Sequence, residues 1–174
     1  MTDLPASVSN GRLDVVYANQ MFEALYSDVF EEPQRPVNTG RFMFLDPRAR
    51  IFYLDWETLA RDVVAALHGE AGRDPYDRAL SDLIGELSTR SDEFRVRWAA
   101  HNVKFHRAGT KRLHHPLVGD LTLAYDAFEL PAEGQRINVY TAEPGSASHE
   151  ALSLLASWSA ATPADRLSDV VHDD

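Results

Sequence analysis

Residues 44–103, FLDPRARIFYLDWETLARDVVAALHGEAGRDPYDRALSDLIGELSTRSDEFRVRWAAHNV, hold the pattern that decides the fold. Asp46-Pro47, Asp55, Asp74-Pro75 and Ser91 each offer a side-chain oxygen to the unpaired first amides of a following helix. Proline suits the first helical position, because its fixed φ is helical and its missing N–H would have gone unpaired there. After Asp55, the residues Trp56, Leu59, Ala60, Val63, Val64 and Leu67 recur at three- and four-residue spacing and share one face. The same spacing after Asp74 gives Leu80, Leu83, Ile84 and Leu87, and after Ser91 it gives Phe94, Trp98 and the neighbouring His101. Successive apolar stripes of this kind need a flat surface to pack on.

Downstream, the period changes from helical to two. Residues 102–107 read as a strand, Ala108-Gly109-Thr110 as its turn, and 111–117 as the return. Val118-Gly119-Asp120 turns the chain again, Leu121, Leu123 and Tyr125 alternate with polar or small residues, and Ile137, Val139 and Thr141 repeat the alternation after a turn at 131–135. Connections this short join antiparallel neighbours. From Ser148, the residues Leu152, Leu155, Ala156 and Trp158 make a closing helix. Upstream, Leu13, Val15 and Tyr17 form a first strand, and Asn19 opens a helical run carrying Phe22, Leu25 and Tyr26. Residues 31–40, with Pro33, Pro36, Asn38 and Gly40, read as a loop. The sum is an α+β fold, PAS-like in element order: an antiparallel β-sheet with helices packed on one face. The expected organisation is a flexible segment over 1–10, one domain over 11–160 and a polar tail over 161–174.

With 174 residues, 44% of them apolar and 25% charged, the chain has enough material for one sizeable core. It has no cysteine, so disulfides and thiolate metal sites are excluded. Its apolar runs are too short for a bilayer span, and MTDLPASVSNGRLD lacks the regions of a signal peptide. The expectation is therefore a cytoplasmic protein with no membrane contact. A net charge of −10 repels a phosphate backbone, and the small basic run KRLHH at 111–115 reads as a solvated hairpin face. The chain by itself is not expected to bind DNA.

Catalytic and metal signatures are missing. His114 and His115 are adjacent on a strand and so point to opposite faces, while His101 and His106 lie across a helix–strand boundary. No HExxH spacing, Gly-x-Ser-x-Gly elbow or Gly-rich phosphate loop occurs. The reading is that the chain is not an enzyme, with no catalytic residue, metal or cofactor.

LDP (45–47), DWE (55–57), ELSTRSDEFRVRWAAHNV (86–103), KRLHHPLVGDLTLAYDAFEL (111–130) and VYTAEPGS (139–146) together resemble the ligand-binding domain of MmyB-like bacterial transcription regulators, over roughly residues 11–158. LDVVYANQMFEALYSD is similar to the opening of a PAS domain. The resemblance implies an apolar small molecule, such as a long-chain fatty acid, held between sheet and helices. It also implies a preceding helix-turn-helix domain, through which any contact with DNA would pass. Met1 stands about ten residues before the first strand, so the expectation is a piece of a longer regulator or a stand-alone form, with a homodimer as one possible assembly.

Within that frame the candidate ligand contacts are the aromatics Phe42, Phe44, Phe52, Trp56, Phe94 and Trp98, with Arg97 and His101 as polar anchors for a carboxylate. Each has a plainer reading: aromatics at helical spacing fill cores, Arg97 can be a surface guanidinium, and His101 can bond a neighbouring strand. The alternative function is a dimerisation or protein-interaction module whose core is filled. A cavity separates the two, and Trp98→Ala would abolish ligand retention only in the first.

Overall fold

The computed structural model describes residues 4–101 and 108–161. Five strands, β1 (Ala6–Asn10), β2 (Val15–Ala18), β3 (Ala108–His115), β4 (Gly119–Leu130) and β5 (Gln135–Thr141), form one sheet in the order 2-1-5-4-3. Every neighbouring pair is antiparallel. The first strand therefore lies beside the last, with Ser7 opposite Asn138 and Ser9 opposite Arg136.

Asn19 fixes where the sheet hands over to helix. Its Oδ1 accepts from the amides of Ala6 (3.0 Å) and Phe22 (2.9 Å), and its Nδ2 donates to the Leu4 carbonyl at 2.8 Å. One side chain thus ties the start of β1 to the first turn of α1 (Gln20–Leu25), which is followed by the single turn α2 (Ser27–Phe30). Five more helices cross the same face of the sheet before β3: α3 (Thr39–Leu45), α4 (Ala49–Phe52), α5 (Trp56–Arg73), α6 (Arg78–Arg90) and α7 (Asp92–Ala99). The last, α8 (Ala147–Ala161), lies beside the half of β4 that β5 does not cover, where Ser148 Oγ accepts from the Thr122 amide at 2.8 Å.

Of the four start signals, Ser91 acts as the spacing predicts: its Oγ accepts from the buried Phe94 amide at 3.1 Å. The Asp46 carboxylate accepts from the Arg48 amide at 2.8 Å in the turn before α4, whose cap position, Arg48, makes no side-chain cap bond. α6 starts three residues later than Asp74 indicates, because Asp77 takes the cap by accepting from the Leu80 amide at 3.1 Å. Asp55 precedes α5 without capping it and is bound instead to Arg112 of β3 at 2.8 Å. Loss of the buried Ser91 cap should be measurable: Ser91→Ala is expected to lower unfolding free energy by about 1 kcal/mol in urea denaturation.

Four expectations about elements change. Residues 6–10 are not loose but form β1, inside the sheet; they read as polar because Ser7 and Ser9 face inward to a cavity rather than outward to water. Thr39 and Gly40 belong to α3, whose start Asn38 caps by accepting from the Arg41 amide at 2.9 Å. Ala108-Gly109-Thr110 is not a turn but the beginning of β3, while the strand expected over 102–107 lies outside the described residues. The run KRLHH is a solvated face on one side only. Strand alternation sends Lys111, Leu113 and His115 inward, and leaves Arg112 on Asp55 and His114 on Asp120 outside.

Apolar side chains divide into two clusters. One lies under the sheet and joins Phe22, Leu25, Tyr26, Phe42, Phe52, Leu113, Leu121, Leu123 and Leu155. The other fills the space between α5, α6 and α7 with Val64, Leu67, Leu80, Leu83, Leu87 and Phe94.

Candidate functional site

Between the inner face of the sheet and helices α1, α3 and α5 the packing opens into a cavity of about 350 Å³. That size lies at the lower end of the range for small-molecule sites. Its helical side is mainly apolar, with Phe22 and Tyr26 from α1, Met43 from α3 and Leu59, Val63 and Ala66 from α5. Its floor is the sheet, and the floor is polar: Ser7 and Ser9 on β1, Lys111 on β3, Tyr125 on β4, Arg136, Asn138 and Tyr140 on β5.

Lys111 is the central group. Its Nζ donates to the Tyr140 hydroxyl at 3.1 Å and lies 3.9 Å from the centre of the Tyr125 ring. The Tyr140 hydroxyl in turn shares a hydrogen bond of 2.9 Å with Tyr26. Among the described residues Tyr140 is the one hydrogen-bond acceptor of Lys111, and no carboxylate stands within ion-pairing distance of it. Burial pulls the Lys111 ammonium down to about 8, with the more distant Asp62 opposing the shift. Burial pushes Tyr26 and Tyr140 well above their ordinary value, with Tyr140 adding to the shift of Tyr26 and Tyr125 to that of Tyr140, so both remain protonated hydroxyls. Arg136, the other cation on the floor, has Glu129 at 3.9 Å.

One rim of the cavity is the turn between β1 and β2. Leu13, which lines it, adopts φ 69°, in the left-handed region that a branched residue rarely enters. The surroundings hold it there. Asn10 Oδ1 accepts from the amides of Arg12 and Asp14, both at 3.0 Å, and the Leu13 carbonyl accepts from the Thr39 amide at 3.1 Å. Asn38 Nδ2 donates to the Arg12 carbonyl and to Asp14 Oδ1, each at 2.8 Å, and Arg12 pairs with Asp77 at 3.0 Å. Sheet, α3 and the start of α6 therefore meet at a strained residue in contact with the cavity.

None of the eight candidate ligand contacts named from the sequence is among the side chains lining this cavity. Phe42 and Phe52 are buried edge to face, 5.9 Å between centroids, in the cluster under the sheet. Trp56 donates from Nε1 to the Met43 carbonyl at 3.0 Å and carries Arg50 over its ring at 3.7 Å. Phe44 packs edge-on against both Trp56 (5.8 Å) and Phe94 (5.1 Å). Phe94 stacks on Trp98 at 5.6 Å, and Trp98 stacks on His68 at 3.6 Å. Arg97 is bound by Glu93 and Glu57 on the outer surface, and His101 is exposed with its ring 4.6 Å from that of His68. The structure brings Phe44, Trp56, Phe94 and Trp98 together, outside the lining of the cavity.

The cavity residues that the sequence reading passed over had one usable signal. On an alternating strand, Lys111 shares a face with Leu113, and Ser7 shares one with Ser9. A cation in register with a buried leucine is a candidate for the interior. Among the described residues no cluster of histidine and carboxylate side chains is arranged to hold a metal ion, and no helix is long and apolar enough to cross a membrane.

Over residues 1–155 the chain matches the family model described as the MmyB-like transcription regulator ligand binding domain. A search of curated proteins finds no match.

Proposed function

Because the chain belongs to the MmyB-like transcription regulator ligand-binding domain family, we propose that its cavity senses a small amphipathic acid, with the apolar body against α1, α3 and α5 and the anionic head at Lys111. The observation that carries this reading is an inward-facing lysine, without a carboxylate partner among the described residues, in a largely apolar cavity. Asp62, on the wall of the same cavity, opposes part of the cost from beyond ion-pairing distance, and a buried ammonium without a direct ion pair is still costly. A ligand that brings the negative charge relieves that cost. A fatty acid has this form, and at about 30 Å³ per water-sized group the volume corresponds to roughly a dozen non-hydrogen atoms, the size of a ten-carbon acid.

Families of this kind are regulator domains rather than enzymes, and occupancy is the signal. An acid that bridges Lys111 on the sheet to the apolar face of α5 favours whichever arrangement of sheet and helices seats both ends. A ligand that bound both arrangements equally would move nothing. The output would then reach DNA through a helix-turn-helix partner domain, since a chain of net charge −10 does not attract phosphate. An interaction module with a filled core is the weaker reading, because a 350 Å³ space is left between the layers.

Native mass spectrometry of freshly purified protein, followed by organic extraction, tests the proposal. A bound mass resolving to carboxylic acids is expected, and an added acid at about 100 times its Kd should raise stability by about 2.7 kcal/mol. A clean mass with no stabilisation by any acid of six to eighteen carbons would refute it. The pH dependence has a definite sign. The groups around the head are Lys111, Asp62, Arg136 and the hydroxyls of Tyr26, Tyr125 and Tyr140, and of these Lys111 is lowered to about 8. Affinity for a carboxylate should therefore fall as pH rises from 7 to 9.5, read by titration calorimetry at both ends.

A further inference from the structure

Beyond Lys111, the floor of the cavity carries a strip of hydrogen-bonding groups that a plain alkyl chain does not use. Asn138 Nδ2 donates to Ser9 Oγ at 3.0 Å and to Ser7 Oγ at 3.4 Å, and its Oδ1 accepts from the Tyr125 hydroxyl at 3.3 Å. The amide is thus engaged on both sides, and it holds both serine oxygens as acceptors. Each serine keeps its own O–H, and among the described residues nothing accepts from either. Ser7 is almost fully buried, so bulk water does not serve it.

We propose that the ligand carries a second oxygen function, a hydroxyl or ketone on its chain, which accepts from the Ser7–Ser9 strip while the acid group meets Lys111. This rests on the reading of the cavity as a site for an amphipathic acid. A saturated chain laid over the strip would exclude water from two hydroxyls and return nothing. Sites built to bond an oxygen discriminate strongly against analogues that lack it, because their own polar groups are then left unpaired. A ligand oxygen turns the same strip from a cost into a contact.

Sheet geometry limits where that oxygen sits. Tyr140, the partner of Lys111, is on β5, and the serines are on β1, the adjacent strand. Ser7 stands opposite Asn138 and Ser9 opposite Arg136, two and four residues along β5 from Tyr140. With neighbouring strands about 4.8 Å apart and a rise of about 3.4 Å per residue, the serines lie roughly 8–14 Å from the Tyr140 position. The ligand oxygen belongs in the middle or outer part of a ten-carbon chain rather than beside the acid.

The test compares decanoic acid with decanoic acids hydroxylated at carbon 3, carbon 6 and carbon 10, by calorimetry on the full chain at pH 7. The 6- or 10-hydroxy acid is expected to bind about tenfold more tightly than decanoate, and the Ser7→Ala/Ser9→Ala double variant should bind the two alike. Decanoate or the 3-hydroxy acid binding at least as well as the 6- and 10-hydroxy acids overturns the proposal, as does a preference that survives the double variant. If that variant does not fold, the comparison on the unaltered protein decides. Equal binding of all four acids removes the second oxygen and leaves the acid site standing. No binding by any of them removes both.

Discussion

Replacing Lys111 by Met is expected to weaken binding of an anionic ligand by roughly 10- to 100-fold and to stabilise the ligand-free protein at neutral pH. The first effect follows from a charge-assisted hydrogen bond lost in a site largely shielded from water. The second follows from the side chain itself: methionine has a similar length, and it places no ammonium against the rings of Tyr125 and Tyr140. The folded pKa of Lys111, about 8, lies below its ordinary value of 10.5. Below pH 8 the lysine is charged in both states and its burial opposes folding in full. Between pH 8 and 10.5 the unfolded chain holds a proton that the folded chain has released, so this contribution to stability improves as pH rises. Urea midpoints at pH 7 and pH 9.5 should show that slope in the unaltered protein and a smaller one in the Met variant. Saturation with a carboxylate ligand should also reduce it, by keeping the ammonium charged. A variant with unchanged affinity and an unchanged slope would remove Lys111 from the site. A residue that costs stability without a ligand and repays it with one is the expected signature of a sensor.

The helices and the PAS-like order were legible in the sequence because they rest on local signals. Asn19, Ser91 and the apolar spacing of α5 and α6 each act within a turn or two of their own position. The position of the cavity was not legible, for a physical reason. Its floor is made by β1, β3, β4 and β5 together, and β1 and β5 become neighbours through a pairing between residues about 130 apart, Ser7 with Asn138. Inward-facing serines on a short strand look like loop residues until their neighbour is known. Lys111 likewise looks like part of a basic surface run until strand alternation is applied to it. The aromatic spacing marks a stripe on the middle helices, read from the sequence as candidate ligand contacts, in which Phe94 is buried, Trp98 half-buried and His101 exposed. That stripe faces α6 and α7 as well as the sheet, and one period cannot say which of two packed layers contains the empty space.

Phe94→Ala separates those two layers. Phe94 has no exposed surface, stacks on Trp98, meets Phe44 edge-on at 5.1 Å and lies in the cluster that joins α5, α6 and α7. Truncating a fully buried phenylalanine costs about 3–5 kcal/mol, a large part of the 5–15 kcal/mol typical of a whole domain. Chemical denaturation should record a loss of that size. Ligand affinity, measured at low temperature where the variant is still folded, should stay within about twofold of the unaltered value, because Phe94 lies outside the lining of the cavity. Trp98→Ala should behave in the same way with a smaller loss, since Trp98 is half-buried and rests on His68. If either variant keeps most of its stability but loses its ligand, the binding site extends into the aromatic cluster, and Phe44, Trp56, Phe94 and Trp98 return as contacts. Affinity is the deciding measurement, because any packed aromatic lowers stability when removed, whereas only one that touches the ligand changes its Kd in a folded protein.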